Sequence, residues 1–192
     1  MGSCKSVLAQ NLIRQRIEER NHAPGTYKSL TLEMFKTISE WQHLAILELT
    51  TCKGFKSDAR WMATRLGISV HEVNEAVSRL KALELLEEQG STLRKTEFHV
   101  SALSNVPDAA LRTHAKQILS KALTSLDEQS QDVRDITSMT MAIDPKLLPE
   151  AKRMILLFRR RLCKFLERGE RSEVYVFSPA LFRLSQKAKV ES

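Results

Sequence analysis

Residues 57–88, SDARWMATRLGISVHEVNEAVSRLKALELLEE, decide the fold of this chain. Asp58 to Leu66 has the length of a two-turn helix and carries Trp61, Met62 and Leu66. Gly67-Ile68-Ser69 then reads as a tight turn, with Gly67 supplying a positive φ and Ile68 filling the space between two helices. Ser69-Val70-His71-Glu72 is a capping box, in which the Ser69 hydroxyl and the Glu72 carboxylate satisfy reciprocal backbone N–H groups. The helix it opens places Val73, Ala76, Val77, Leu80 and Leu83 on one face. Leu85 to Glu88, a Gly90-Ser91 turn, and Leu93 to Val100 then predict a two-stranded wing.

Helix, turn, capped helix and wing together predict a winged helix-turn-helix between about Trp41 and Val100, within a unit spanning 31–104. Upstream, Phe35, Ile38, Trp41, Ala45, Leu47 and Leu49 predict a helix over Thr31 to Thr50, closed by Lys53-Gly54-Phe55-Lys56. Further back, Leu8, Leu12, Ile13 and Ile17 predict a short helix over Val7 to Arg20. It ends at Pro24-Gly25, so residues 1–30 read as a helix and linker.

Downstream, Pro107 to Leu126 predicts a helix with a narrow stripe of Leu111, Ala115, Ile118, Ala122 and Leu126. That spacing suits either a dimer seam or packing on the chain's own core. After a polar run from Asp127 to Asp135, Ile136 to Ile143 alternates Thr137, Met139, Met141 and Ile143 on one face, as a strand does. Asp144-Pro145 or Pro149 can start the next helix. It is expected to bury Ile155, Phe158, Leu162, Phe165 and Leu166, and to stop at Gly169. Glu173 to Leu184 predicts a final strand, broken near Ser178-Pro179. The fold class is therefore α+β, mainly α: a winged helix, then a helix and a strand-helix-strand unit over 105–185, with a tail at 186–192. A right-handed crossover would set the two strands parallel. Two parallel strands do not make a stable sheet alone, so a homodimer is expected.

The 192 residues are 42% hydrophobic and 28% charged, ordinary for a folded domain. No stretch approaches the roughly 18 apolar residues needed to cross a bilayer. The opening Met-Gly-Ser-Cys-Lys-Ser lacks the apolar core of a secretory signal. Cys4, Cys52 and Cys163 are odd in number and far apart, which suits reduced thiols in a cytoplasmic protein. Residues 1–150 carry 19 basic and 19 acidic side chains, and the last 42 residues carry 11 against four, the entire excess of +7. An acidic partner is implied, but the excess lies outside the wing and its helices.

No reaction chemistry is legible. The six glycines never form a phosphate-cradling loop. His22, His43, His71, His99 and His114 lack metal-ligand spacing, so each is expected at or near the surface and neither metal nor cofactor is expected. No Ser-His-acid set can be assembled, and the chain is expected not to be an enzyme.

A DNA-reading winged helix inserts the solvent face of its second helix in the major groove. The candidate residues are His71, Asn74, Ser78 and Arg79, with Arg94 and Lys95 of the wing. Asn74 could pair with adenine and Ser78 could reach a phosphate. Arg60, Arg65 and Lys81 flank the motif. Glu72 and Glu75 share that face and oppose a polyanion. Two partners therefore stay open: duplex DNA, or a protein that uses the same scaffold. A second candidate surface is the basic face of the last helix, with Lys152, Arg153, Arg159, Arg160, Arg161 and Lys164. It suits phosphate or an acidic partner, or solubilises the outer side of an amphipathic helix.

Four segments carry a family resemblance: Ser39-Glu40-Trp41-Gln42-His43-Leu44-Ala45-Ile46-Leu47-Glu48-Leu49, Ala59-Arg60-Trp61-Met62-Ala63-Thr64-Arg65-Leu66-Gly67-Ile68, Arg134-Asp135-Ile136-Thr137-Ser138-Met139-Thr140, and Val174-Tyr175-Val176-Phe177 with Leu181-Phe182-Arg183-Leu184-Ser185. Over residues 30–185 the chain resembles a bacterial family of proposed transcriptional regulators, catalogued as domain of unknown function 4423. The resemblance implies a winged helix followed by a helical and strand-containing part, with no catalytic residue. Two departures stand out. The usual separate N-terminal helix-turn-helix has no room before Tyr27, and the usual glycine after the second helix is Glu84.

Overall fold

Helix α1 runs Trp41–Leu49, α2 Ala59–Leu66 and α3 Val70–Ala82, followed by a hairpin of β1, Leu86–Gln89, and β2, Thr92–Lys95. They belong to a computed structural model that describes residues 37–96 and 109–186. Among those residues the chain is mainly helical, with one two-stranded antiparallel sheet.

The local signals act as expected. Asp58 caps α2 by accepting from the Trp61 N–H at 2.7 Å. Gly67 ends α2 at φ 65°, a left-handed conformation that only glycine takes without strain, and the Ile68 N–H closes onto the Ala63 carbonyl. At Ser69 both arms of the capping box form. The Ser69 N–H donates to Glu72 Oε2 at 2.7 Å, and the Glu72 N–H donates to Ser69 Oγ at 3.2 Å. The Ser69 hydroxyl, which donates to the same Oε2 at 2.7 Å, and the Ser69 N–H hold the Glu72 carboxyl below its usual pKa. In β1 and β2, Leu86 faces Lys95 and Glu88 faces Leu93, joined through Gly90 and Ser91. Leu86 and Leu93 are the two buried strand residues, and the Leu93 N–H is tied to Ser57 Oγ at 2.7 Å. The hairpin is thus fastened to the loop before α2.

Helix α1 lies at the centre. Ile46, Leu47 and Leu49 pack with Met62 of α2, Val73, Ala76 and Leu80 of α3, and Leu85, Leu86 and Leu93 of the hairpin. Burial of several sides of α1 extends to His43, which is 1% exposed and not near the surface as its scattered spacing suggested. Its Nδ1 donates to the Glu40 carbonyl at 3.1 Å, which leaves Nε2 as a buried acceptor without a partner. Burial pushes the imidazole pKa down, so the ring is neutral.

Helix α4, Ala109–Glu128, packs against α1 and turns inward Leu111, Ile118 and Ala122 of the predicted stripe, while Ala115 and Leu126 are exposed. Gln117 Oε1 accepts from the Trp41 N–H at 2.9 Å, His114 Nδ1 lies 2.8 Å from the Ser39 carbonyl, and the Lys121 ammonium sits 4.1 Å over the Trp41 ring. Only Ile118 of α4 is buried. Short 3₁₀ turns at Gln131–Val133 and Pro145–Leu147 precede α5, Leu148–Leu166. Both expected starts are used: Pro145 opens the second turn, and Pro149 lies in the first turn of α5.

The strand-helix-strand unit requires correction. Neither Ile136 to Ile143 nor Glu173 to Leu184 forms a strand, and neither segment finds a ladder among the described residues. Alternation supplies a face for a sheet but not the neighbouring edge that makes one. Residues 170–174 pack instead against the three-helix core. The Lys53 N–H donates to the Arg171 carbonyl at 2.7 Å, Arg65 bridges the Ser172 carbonyl and the Glu173 carboxylate, and Val174 touches the core. Helix α5 buries none of its residues, and Phe158 meets Phe177 edge on at 5.8 Å. The expected helix at Val7 to Arg20, the linker after it, the boundary near residue 104 and residues 187–192 of the tail lie outside the described residues.

Candidate nucleic-acid interface

The capping box aims α3 so that its apolar stripe covers α1 and α2. The opposite side therefore faces solvent by helical geometry alone. His71, Asn74 and Ser78 lie there at i, i+3 and i+7, all exposed. Glu75 shares this face, with His71 Nε2 3.9 Å from its carboxylate. Beside it a cleft of about 340 Å³ runs between α3 and the hairpin, lined by Ser57, Asn74, Lys81, Glu88, Ser91 and Leu93 among others. Asn74 thus stands at the junction of helix and hairpin.

The six candidate residues divide into two groups. His71, Asn74, Ser78 and Arg94 are exposed. Arg79 and Lys95 are half-buried and engaged with the acids of α1 and its cap. Arg79 Nη1 contacts Glu40 at 3.3 Å and its Nη2 contacts Glu75 at 3.8 Å, while Lys95 is hydrogen-bonded to Glu48. Strand periodicity explains the split in the hairpin, because consecutive residues point to opposite faces. Arg94 stands on the outer face, opposite Glu87, and Lys95 on the inner face toward α1. The same logic applies on α3, where Arg79 lies next to Ser78 in sequence but about 100° around the helix.

Other cations of the region are also engaged. Lys81 pairs with Glu88, Arg65 with Glu173, and Lys53 with Glu170 at 2.6 Å. Lys56 and Arg60 are exposed and carry no ion pair among the described residues. Lys56 precedes Ser57, the residue that fastens the hairpin, and nothing in its own sequence context distinguished it.

The second candidate surface is open. On α5, Arg153 donates to Glu150 at 2.8 Å, whereas Arg159, Arg160, Arg161 and Lys164 make no ion pair among the described residues. No group of three or more His, Cys, Asp or Glu suited to a metal occurs among the described residues. Cys52 is buried and Cys163 exposed, both as free thiols; burial raises the pKa of Cys52, and partial desolvation with the adjacent Glu167 carboxylate raises that of Cys163. Among the described residues no helix is long and apolar enough to cross a membrane.

No curated protein and no solved structure matches this chain. Residues 24–184, most of its length, match the domain of unknown function DUF4423. That match spans both the helix-and-hairpin unit and the region through α5, and the chain belongs to the DUF4423 family.

Proposed function

We propose that this chain is a non-enzymatic transcriptional regulator of the winged-helix type that binds duplex DNA. The observation that carries this reading is the exposed row of His71, Asn74 and Ser78 on α3, set beside a hairpin with Arg94 on its outer face. In this reading α2 and α3 are the helix-turn-helix, and β1 and β2 are the wing. Asn74 reads a base edge, by the bidentate amide pairing that adenine accepts. Ser78, Arg94, Lys56 and Arg60 meet phosphates. Arg79 and Lys95 hold the frame through Glu40 and Glu48.

A second reading, a protein-binding adaptor built on the same scaffold, is favoured by one observation. Arg79, Lys81 and Lys95 are each already paired with a glutamate, which reduces the charge available to a polyanion. The deciding experiment titrates the purified chain and its variants against genomic DNA fragments over increasing salt. DNA binding predicts a log-log slope of about −0.9 per phosphate contacted, and Arg94→Ala should reduce that slope by about one. Asn74→Ala should relax the sequence preference and weaken specific binding by about 1–3 kcal/mol. A folded chain that binds no fragment at low salt overturns the DNA reading and leaves the adaptor.

A further inference from the structure

Beyond residue 118 much apolar surface stands uncovered among the described residues. Twenty large apolar side chains between Leu119 and Leu184 stand exposed, among them Met139 at 78%, Phe165 at 62% and Phe182 at 72%. At roughly 100 Å² each, this amounts to on the order of 2,000 Å² of apolar surface. That is enough to supply one side of an obligate-dimer interface, which buries about 2,000 Å² and more over both partners.

Backbone hydrogen bonding points the same way. Residues 135–143 and 174–184 make no backbone hydrogen bond among the described residues, although their flanks are fixed. Arg134 wraps back onto the Leu126 and Gln129 carbonyls, Asp144 caps the Lys146 N–H, and Arg134 and Asp144 are both in extended conformation. An alternating apolar segment with free N–H and C=O groups is a template for another strand.

Charge then selects the occupant. Asp127, Glu128 and Asp135 are exposed and make no ion pair among the described residues, and the same holds for Arg160, Arg161 and Lys164 on α5. Among the described residues one chain thus carries an unpaired acidic group before 136–143 and an unpaired basic group after it. In a two-fold interface, residue i of one copy meets residue j of the other, and j meets i. Each copy can therefore neutralise the other.

We propose that this region is half of an interface whose other half is a second copy of this chain. Residues 136–143 and 174–184 of two copies build one intermolecular sheet, and the apolar faces of both α5 helices cover it. The acidic run of each copy meets the basic α5 face of its partner. This proposal stands independently of DNA binding.

Light scattering on the full chain at about 10 µM, with amide hydrogen exchange, tests it. The expected result is a particle of twice 21.9 kDa, with protection of 136–143 that fades on dilution. A monomer, whether 136–143 is protected or open, overturns the proposal, because no second copy then covers the face. Met139→Lys with Met141→Lys should yield a monomer that keeps the native Trp41 and Trp61 fluorescence. Should that variant misfold, Arg160→Glu with Arg161→Glu is the surface alternative. It should weaken dimerisation by about tenfold or more, through like charges brought together, and adding Asp127→Lys with Glu128→Lys should restore it. A dimer indifferent to the charge reversal places the interface elsewhere and sinks the idea.

Discussion

Residues 37–96 and 109–186 follow the same amphipathic rules with opposite outcomes. In the first, Ile38, Ile46, Leu47, Leu49, Leu80 and Leu85 are all at most 1% exposed. In the second, Ile118 alone is buried among the described residues. Helix α5 is as clearly two-faced as α3, yet α3 has two helices and a hairpin to cover its stripe while no residue of α5 is buried. A pattern of apolar residues specifies what a surface requires, and the surrounding chain decides whether the requirement is met.

The sharpest break of this contrast is Leu80→Ala. Removing a side chain with no exposed surface leaves a cavity in the only core described, and should destabilise the fold by about 2–5 kcal/mol in urea unfolding. The loss should not depend on protein concentration, whereas truncations on the exposed side of α5 should matter only where copies associate.

A smaller effect tests whether local signals contribute within the well-packed unit. Ser69→Ala removes the acceptor of the Glu72 N–H, and should lower stability by about 1 kcal/mol in the same assay.

Smaller again is an improvement. Glu84 sits at φ 57°, in the left-handed region, at the position where the resembling family carries glycine. Glu84→Gly should raise stability by about 0.5–1 kcal/mol, because relief of backbone strain outweighs glycine's extra freedom in the unfolded chain. A loss of stability would mean that the Glu84 side chain contributes more than its backbone strain.

The last effect concerns pH. His43 has a lowered folded pKa because it is buried, with Glu40 and Glu75 opposing that shift and Arg79 adding to it. The unfolded chain therefore binds the proton more readily. Stability is full above the unfolded value of about 6.5 and declines as pH falls below it toward the folded value. Urea midpoints from pH 7.5 to 5.5 should fall, and His43→Leu should flatten that part of the profile. An unchanged slope in the variant would assign the dependence to other groups.

Much of the first unit was legible because its signals are local. The capping box at Ser69, the turn at Gly67, the Asp58 cap and the stripe of α3 each involve residues within about four positions of one another. The orientation of the candidate site was partly legible too. Period two separates Arg94 from Lys95, and 100° per residue separates Ser78 from Arg79. Their ionic partners were not legible, since Glu40 and Glu48 lie 39 and 47 residues away and meet these cations only after α1 is packed.

The sequence by itself determined where helices start and stop, which faces are apolar, and that a hairpin turns at Gly90 and Ser91. The tertiary structure decided what those faces meet. It buried His43 although nothing about its spacing marked it, and it left Ile136 to Ile143 and Glu173 to Leu184 without strand partners. The physical reason is one of range. Caps, turns and periodicity act within a turn or two of chain, whereas a ladder or a buried imidazole depends on segments that meet only on folding.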